Sequence, residues 1–175
     1  MLVVQETSSN KYSPRTFHNA KSAGLTIAFA VDFTSAGEKL TKRAAGDNYL
    51  AIAICTDINT AQCVETICLT IAAKNIEGIV LNIAGNSAHT LLNHGISQDN
   101  INAFLVDVIS QVHARHTISK IVTGGQTGVD IAGAYSAYKC KIPVVVTMPK
   151  GFIQRNVSGS DVMNTKDDVE AMIVS

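Results

Sequence analysis

Runs of aliphatic and β-branched residues alternate along this chain with segments in which apolar positions recur every three or four residues. Five runs predict strands: Leu25 to Val31, Tyr49 to Ile54, Ile79 to Ala84, Lys120 to Thr123 and Ile142 to Thr147. Their apolar positions are consecutive rather than alternate, the pattern of parallel strands buried on both faces. Between them, Ile101, Phe104, Leu105, Val108, Ile109 and Val112 follow an i, i+3, i+4, i+7 series and form one helical stripe. Val64, Ile67, Cys68, Ile71 and Ala72 repeat the pattern, and an alanine-rich stretch runs from Gly128 to Lys139. Thr165, with Asp168 three residues on, begins a short terminal helix as a weak capping-box variant. Residues 1 to 11 and 152 to 164 are polar without a clear period and read as loops.

Strand followed by helix, repeated, means βαβ crossovers and a sheet covered on both faces. The expected fold is α/β: a three-layer Rossmann-like architecture with a mainly parallel sheet of about five strands. A chain of 175 residues suits a single domain spanning residues 1–175, since one core suffices at that size. Composition excludes several alternatives. With 46% hydrophobic and 16% charged residues the chain is too apolar for disorder, and no apolar run reaches the length of a membrane helix. Fourteen basic side chains balance fourteen acidic ones, so no net field draws it to nucleic acid. The opening residues lack the basic and apolar regions of a secretion signal, which points to the cytoplasm. Cys55, Cys63, Cys68 and Cys140 lack metal-ligand spacing, and reduced core thiols are expected rather than a metal site.

In such sheets ligands bind beyond the carboxyl ends of the strands, so the residues after each strand carry the chemistry. After the strand at 120 comes Thr123-Gly124-Gly125-Gln126-Thr127-Gly128-Val129-Asp130, leading into a helix. Glycines there allow close backbone approach, and the free N–H groups of a first helical turn suit an anion. After the strand at 142 comes Met148-Pro149-Lys150-Gly151, with Gln154-Arg155-Asn156 beyond; lysine and arginine beside glycine suit phosphate. After the strand at 25 comes Asp32-Phe33-Thr34-Ser35-Ala36-Gly37-Glu38, then Lys39-Leu40-Thr41, and the strand at 79 ends in Asn82-Ile83-Ala84-Gly85-Asn86. Taken singly, each loop is equally an ordinary tight turn, N-cap or solvated charge. Four such loops on one sheet edge are better explained by a common site.

The segment from Ile121 to Asp130, with Ile142-Pro143-Val144 and Pro149-Lys150-Gly151 downstream, resembles the molybdenum carrier family of the SLOG superfamily, Rossmann-like domains that bind or process nucleotides and their derivatives. In that family the PKG segment is followed by a YxxRTxxN stretch, a strand, a GGTxLT loop and a VLNxAG strand. Here those parts stand in front: Tyr12, Arg15, Thr16 and Asn19, then Ala36-Gly37-Glu38-Lys39-Leu40-Thr41, then Val80-Leu81-Asn82-Ile83-Ala84-Gly85. The chain resembles a circular permutant of the family, cut in a surface loop where permutation is tolerated. One departure puts the Glu38 carboxylate where the family has the threonine of GGT.

The resemblance and the loops together imply a non-enzymatic carrier, sensor or sequestering protein. Its ligand would be a small phosphorylated molecule, nucleotide-like or pterin-like, such as molybdenum cofactor or a nucleotide-derived signal. Backbone N–H groups would hold it, with Lys150 and Arg155 or Arg15 pairing its charge. The rival is a nucleotide or N-glycosidic-bond hydrolase with Glu38 or Asp130 as acid or base. Superfamily hydrolases carry a PGGxGTxxE loop whose glutamate falls at Thr41 here, which weakens that rival. No catalytic set of nucleophile, base and orienting group assembles from the sequence. A third reading is a purely structural assembly subunit, and a homo-oligomer is expected, because small domains of this kind leave an apolar helix face to cover.

Overall fold

The computed structural model describes residues 1–56 and 59–175. Six strands form one parallel sheet: β1 (Leu2–Glu6), β2 (Leu25–Ala30), β3 (Tyr49–Ala53), β4 (Ile79–Gly85), β5 (Ile118–Thr123) and β6 (Val144–Met148). Their order is β1-β6-β5-β4-β2-β3. The connecting helices are α1 (Tyr12–Lys21), α2 (Ala36–Ala45), α3 (Thr60–Lys74), α4 (Ala88–Leu92), α5 (Gln98–Arg115), α6 (Val129–Lys139) and α7 (Lys166–Val174). A small antiparallel pair, β7 (Gln154–Arg155) and β8 (Asp161–Val162), follows β6.

The order of strands decides where a ligand can enter. The chain leaves β2 for β3 in one direction and leaves β4 for β5 in the other. Right-handed crossovers in opposite directions put their helices on opposite faces of the sheet. Accordingly α1 packs on α2, while α3, α5, α6 and α7 pack in succession on the other side, giving three layers. The loops after β2 and β4 diverge and leave a crevice between them, the topological switch point of the sheet.

Burial explains the central elements. Every residue of β2, LTIAFA, is buried, and Phe29 meets Phe104 of α5 edge to face at 6.0 Å between ring centres. On α5, Ile101, Leu105, Val108, Ile109 and Val112 of the expected stripe are buried, with Phe104 half-buried beside them. On α3 the stripe holds except at Ala72, which is exposed. The terminal helix begins as its capping pair requires: the Thr165 N–H donates to Asp168 Oδ2 at 2.8 Å, and the Asp168 N–H donates to Thr165 Oγ1 at 3.2 Å.

The three-layer Rossmann-like α/β fold is as expected, and several details within it differ for physical reasons. The sheet has six strands rather than about five, because residues 2–6, read as loop, pair with β6 at the sheet edge. An edge strand needs little interior surface, and only Val4 of β1 is buried. Tyr49–Ala53 is the opposite edge, so it is not buried on both faces: Ala51 and Ala53 are exposed. Part of the expected loop at 152–164 forms the β7–β8 pair. Cys63 and Cys68 are buried thiols and Cys140 is half-buried, but Cys55 is exposed. Among the described residues no helix is long and apolar enough to cross a membrane, and no group of three or more His, Cys, Asp or Glu side chains is placed to hold a metal.

Candidate functional site

A cavity of about 380 Å³ opens at the switch point, between the carboxyl ends of β2 and β4. One wall is the start of α2. Ser35 caps this helix, its Oγ accepting from the Glu38 N–H at 3.3 Å, while the Ser35 carbonyl accepts from the Lys39 N–H at 3.1 Å. Ala36 and Gly37 lie ahead of the first intrahelical bonds, where N–H groups have no helical partner, and both line the cavity. A Cβ at Gly37 would meet nothing within 4 Å. Glu38 and Thr41, on the inner side of the same helix, are buried at the cavity floor.

Asn86, after β4, ties this wall together. Its Oδ1 accepts from the Val31 and Asp32 N–H groups at 2.8 and 3.0 Å. Its Nδ2 donates to the Asp32 carbonyl at 3.0 Å and to Glu38 Oε1 at 3.3 Å. Gly85, the last residue of β4, and Asn82 also line the cavity, with the Asn82 Nδ2 donating to Thr26 Oγ1 of β2 at 3.2 Å.

The facing wall combines α1 with the loop after β5. Arg15 Nη1 donates to Asp130 Oδ2 at 2.7 Å, with the two side chains 11% and 5% exposed, so the pair is withdrawn from water. The same Asp130 oxygen accepts from the Gln126 N–H at 3.3 Å. Gly124 makes room for the pair, since a Cβ there would lie 1.0 Å from Arg15 Nη1 and 2.4 Å from Asp130 Oδ2. Asn19 is buried one helical turn beyond Arg15, and Arg155 closes the rim, paired with Asp161 at 3.1 Å.

Glu38 is the chemically unusual member. Burial, then the Asp130 charge and more weakly Asp32, push its carboxyl up to about 7, against the stabilising Asn86 hydrogen bond. Burial and the nearby Glu38 charge in turn push the Tyr49 hydroxyl up to about 12. Burial also raises Tyr12, whose hydroxyl lies near Gln126 and Asp161 without hydrogen-bond geometry to either. Because Glu38 titrates higher folded than unfolded, the native state binds more protons between the ordinary value of 4.5 and about 7. Its contribution to stability is therefore complete below pH 4.5 and lost as pH rises through 7, a loss of about 3 kcal/mol when fully ionised. Glu38→Gln, which keeps the Asn86 contact, is expected to unfold at higher urea than the parent at pH 8.5 and at nearly the same urea at pH 4.5. Identical differences at the two pH values would contradict the assignment.

The buried side-chain atoms without a protein partner among the described residues are Tyr12 Oη, Arg15 Nε, Asn19 Oδ1 and Glu38 Oε2. All belong to residues lining this one cavity.

Of the residues singled out in the sequence, the cavity gathers Arg15, Asn19, Ser35, Ala36, Gly37, Glu38 and Thr41, together with Asn82, Gly85, Asn86, Gly124, Gln126, Asp130 and Arg155. It does not gather Gly125, Thr127, Gly128, Pro149, Lys150 or Gly151. The reasons are local. The helix begins at Val129 rather than near Gln126, and its entry is occupied by the protein itself. The Gly128 N–H donates to Gln98 Oε1 at 2.7 Å, and the Val129 N–H donates to the Asn86 carbonyl at 3.1 Å. The Thr127 N–H donates to Gln126 Oε1 at 3.1 Å. Gly125, at φ +69°, makes room for Val146 and Met148, each 2.7 Å from where its Cβ would stand. The Pro149-Lys150-Gly151 turn joins β1: the Lys150 N–H donates to the Ser9 carbonyl at 2.8 Å and the Gly151 N–H to Glu6 Oε2 at 2.6 Å.

Lining residues outside the expected set are Tyr12, Thr16, Leu40, Ala84, Ser87 and Thr90. For Tyr12 and Thr16 a signal existed: with Arg15 and Asn19 they follow i, i+3, i+4, i+7, a polar stripe on one helix.

The fold and the cavity define a class, a Rossmann-like α/β domain with a pocket at the switch point of its parallel sheet into which polar and charged residues converge. Comparison with family models, curated proteins and solved structures finds no match to this chain.

Proposed function

We propose that this chain is a non-enzymatic binding protein for a small phosphorylated molecule, nucleotide-like or pterin-like, held in the cavity between β2 and β4. The observation that carries the reading is the convergence of unpartnered buried atoms on one cavity. Unpaired buried polar groups cost about 1 to 3 kcal/mol each, so their concentration in a single place is what a site for a polar ligand requires. The Ala36 and Gly37 N–H groups would take the anionic part, in place of the Gly124 to Gly128 loop and Lys150. Molybdenum cofactor or a nucleotide-derived signal fits this chemistry. The neighbourhood of Tyr12 and Arg155, which line the same cavity, supports the permuted reading of the molybdenum carrier resemblance. A homo-oligomer in the cytoplasm belongs to the same proposal, and light scattering on a sizing column tests the oligomer.

The test is native mass spectrometry of freshly purified protein, followed by calorimetry with a panel of nucleotides. A retained small molecule, or binding at pH 5.5 weakened at least tenfold by Glu38→Ala, is the expected result. Ligand-free protein that binds no member of the panel would contradict the reading.

The second reading, a hydrolase of nucleotides or N-glycosidic bonds, is favoured by one observation: Glu38 can carry or release a proton near pH 7. Against it, the partner carboxylate Asp130 is committed through Oδ2 to Arg15 and the Gln126 N–H. No release of base or phosphate above background is expected from the nucleotide panel. Hydrolysis abolished by Glu38→Ala would reverse the ranking.

A further inference from the structure

The charges around the cavity constrain how an anion can enter it. Two guanidiniums line it, and each is already paired, Arg15 with Asp130 and Arg155 with Asp161. Glu38 is 4% exposed and has no cationic partner among the described residues. The groups facing it are all neutral or acidic apart from the committed Arg15: Asn86 after β4, Asp130 on α6, Asp32 after β2 and Tyr49 on β3. Its Oε1 accepts from Asn86, while its Oε2 is buried without a partner at the cavity floor, in the first turn of α2. Ala36 and Gly37 of the same first turn line the cavity, and their N–H groups have no helical partner.

An ionised Glu38 beside a bound anion would place two like charges together, one of them on a carboxyl only 4% exposed, and no unpaired cation among the described residues lines the cavity to offset them. A protonated Glu38 reverses the sign of that contact. Its Oε2–H becomes a donor directed at the group the α2 amides hold, completing a receptor of backbone and acid donors.

We infer that the cavity takes up an anionic group together with a proton, Glu38 in its acid form donating to the anion held on the start of α2. The inference rests on the proposed binding site and specifies its recognition: a phosphate, phosphodiester or carboxylate, bound more tightly as pH falls. No bond other than hydrogen bonds changes, and the proton comes from solvent.

Sulfate tests this cleanly, because its charge is constant between pH 5.5 and 8.5. Amide shifts of Ala36 and Gly37 in a ¹⁵N-labelled sample report its binding. With the carboxyl at about 7 in the free protein, affinity is expected to fall about thirtyfold from pH 5.5 to 8.5. In Glu38→Gln, which keeps a donor at every pH, affinity is expected to be flat. Thermal unfolding of both proteins at each pH confirms that folded states are compared. Sulfate affinity independent of pH in the parent, an unchanged slope in Glu38→Gln, or no sulfate shifts at pH 5.5 would each overturn the inference. The binding reading fails separately: it falls if native mass spectrometry and the nucleotide panel show no ligand.

Discussion

Gly85→Ala is expected to destabilise the domain by on the order of 4 kcal/mol or more, and to abolish ligand binding in whatever fraction still folds. Gly85 is the last residue of β4, and a Cβ there would stand 1.9 Å from the Phe29 carbonyl oxygen and 2.9 Å from Val129 Cγ2. The obstacle is the backbone of β2, the neighbouring strand, whose register with β4 runs to Phe29 opposite Gly85. A flexible side chain could move aside; a strand carbonyl at the centre of the sheet cannot without parting β2 from β4. Those strands form the crevice, so stability and binding are lost together. Urea unfolding monitored by circular dichroism measures the effect, and a loss below about 1 kcal/mol would mean that the two strands separate more easily than their packing implies.

Arg15→Met is the second large effect, expected to cost about 3 to 5 kcal/mol by leaving the Asp130 carboxylate buried without its cation. The pair spans the sheet's edge from α1 to α6, and the contact is nearly closed to solvent. Adding Asp130→Leu to Arg15→Met is expected to restore much of the stability, because a matched apolar pair carries no desolvated charge. The double variant should nevertheless fail to bind ligand, since Arg15 Nε and the cavity's shape on that wall are gone. A double variant as unstable as Arg15→Met alone would show that the ion pair is not the source of the loss.

The parts of this architecture that follow from burial were legible in the sequence. Strands β2, β4 and β6, and β5 from Ile121 on, are largely apolar runs because helices cover both of their faces, and the α5 stripe is helical because one side of it meets the sheet. Of the two edges, β3 was legible as a strand though not as an edge, and β1 was not legible at all. β1 buries only Val4; Leu2 and Val3 are half-buried and Gln5 and Glu6 exposed, so its apolar run is too short to stand out as a strand. Helix α1 has no strong apolar stripe, since its inward face carries Arg15 and Asn19 toward a cavity rather than a core.

The site was legible in outline, because strand-end loops of a parallel sheet converge on one edge whatever their sequence. Its details depended on tertiary pairing. Gly125 and Gly128 read as glycines kept open for a ligand, but the space beside each belongs to Val146 and Met148 in one case and to the Asn86–Ala88 backbone in the other. Lys150 reads as a phosphate partner, yet its turn is drawn to β1 by Ser9 and Glu6. Nothing local distinguishes a glycine that admits a ligand from one that admits a neighbouring side chain. Glu38, by contrast, stood out as a departure from the pattern the loop resembles, and it proves to be the most perturbed carboxyl of the cavity.

The central claim is that a phosphorylated, nucleotide-like ligand occupies the cavity between β2 and β4, with its anionic part on the first turn of α2. Titration of ¹⁵N-labelled protein with nucleoside mono- and diphosphates at pH 6 tests it most directly. Shifts centred on the Ala36, Gly37 and Gln126 amides and the Asn86 side-chain amide, saturating with one ligand per chain, are the predicted result. Saturating shifts confined instead to the Gly125–Gly128 amides and the Lys150 turn, with Ala36 and Gly37 unmoved, would contradict it.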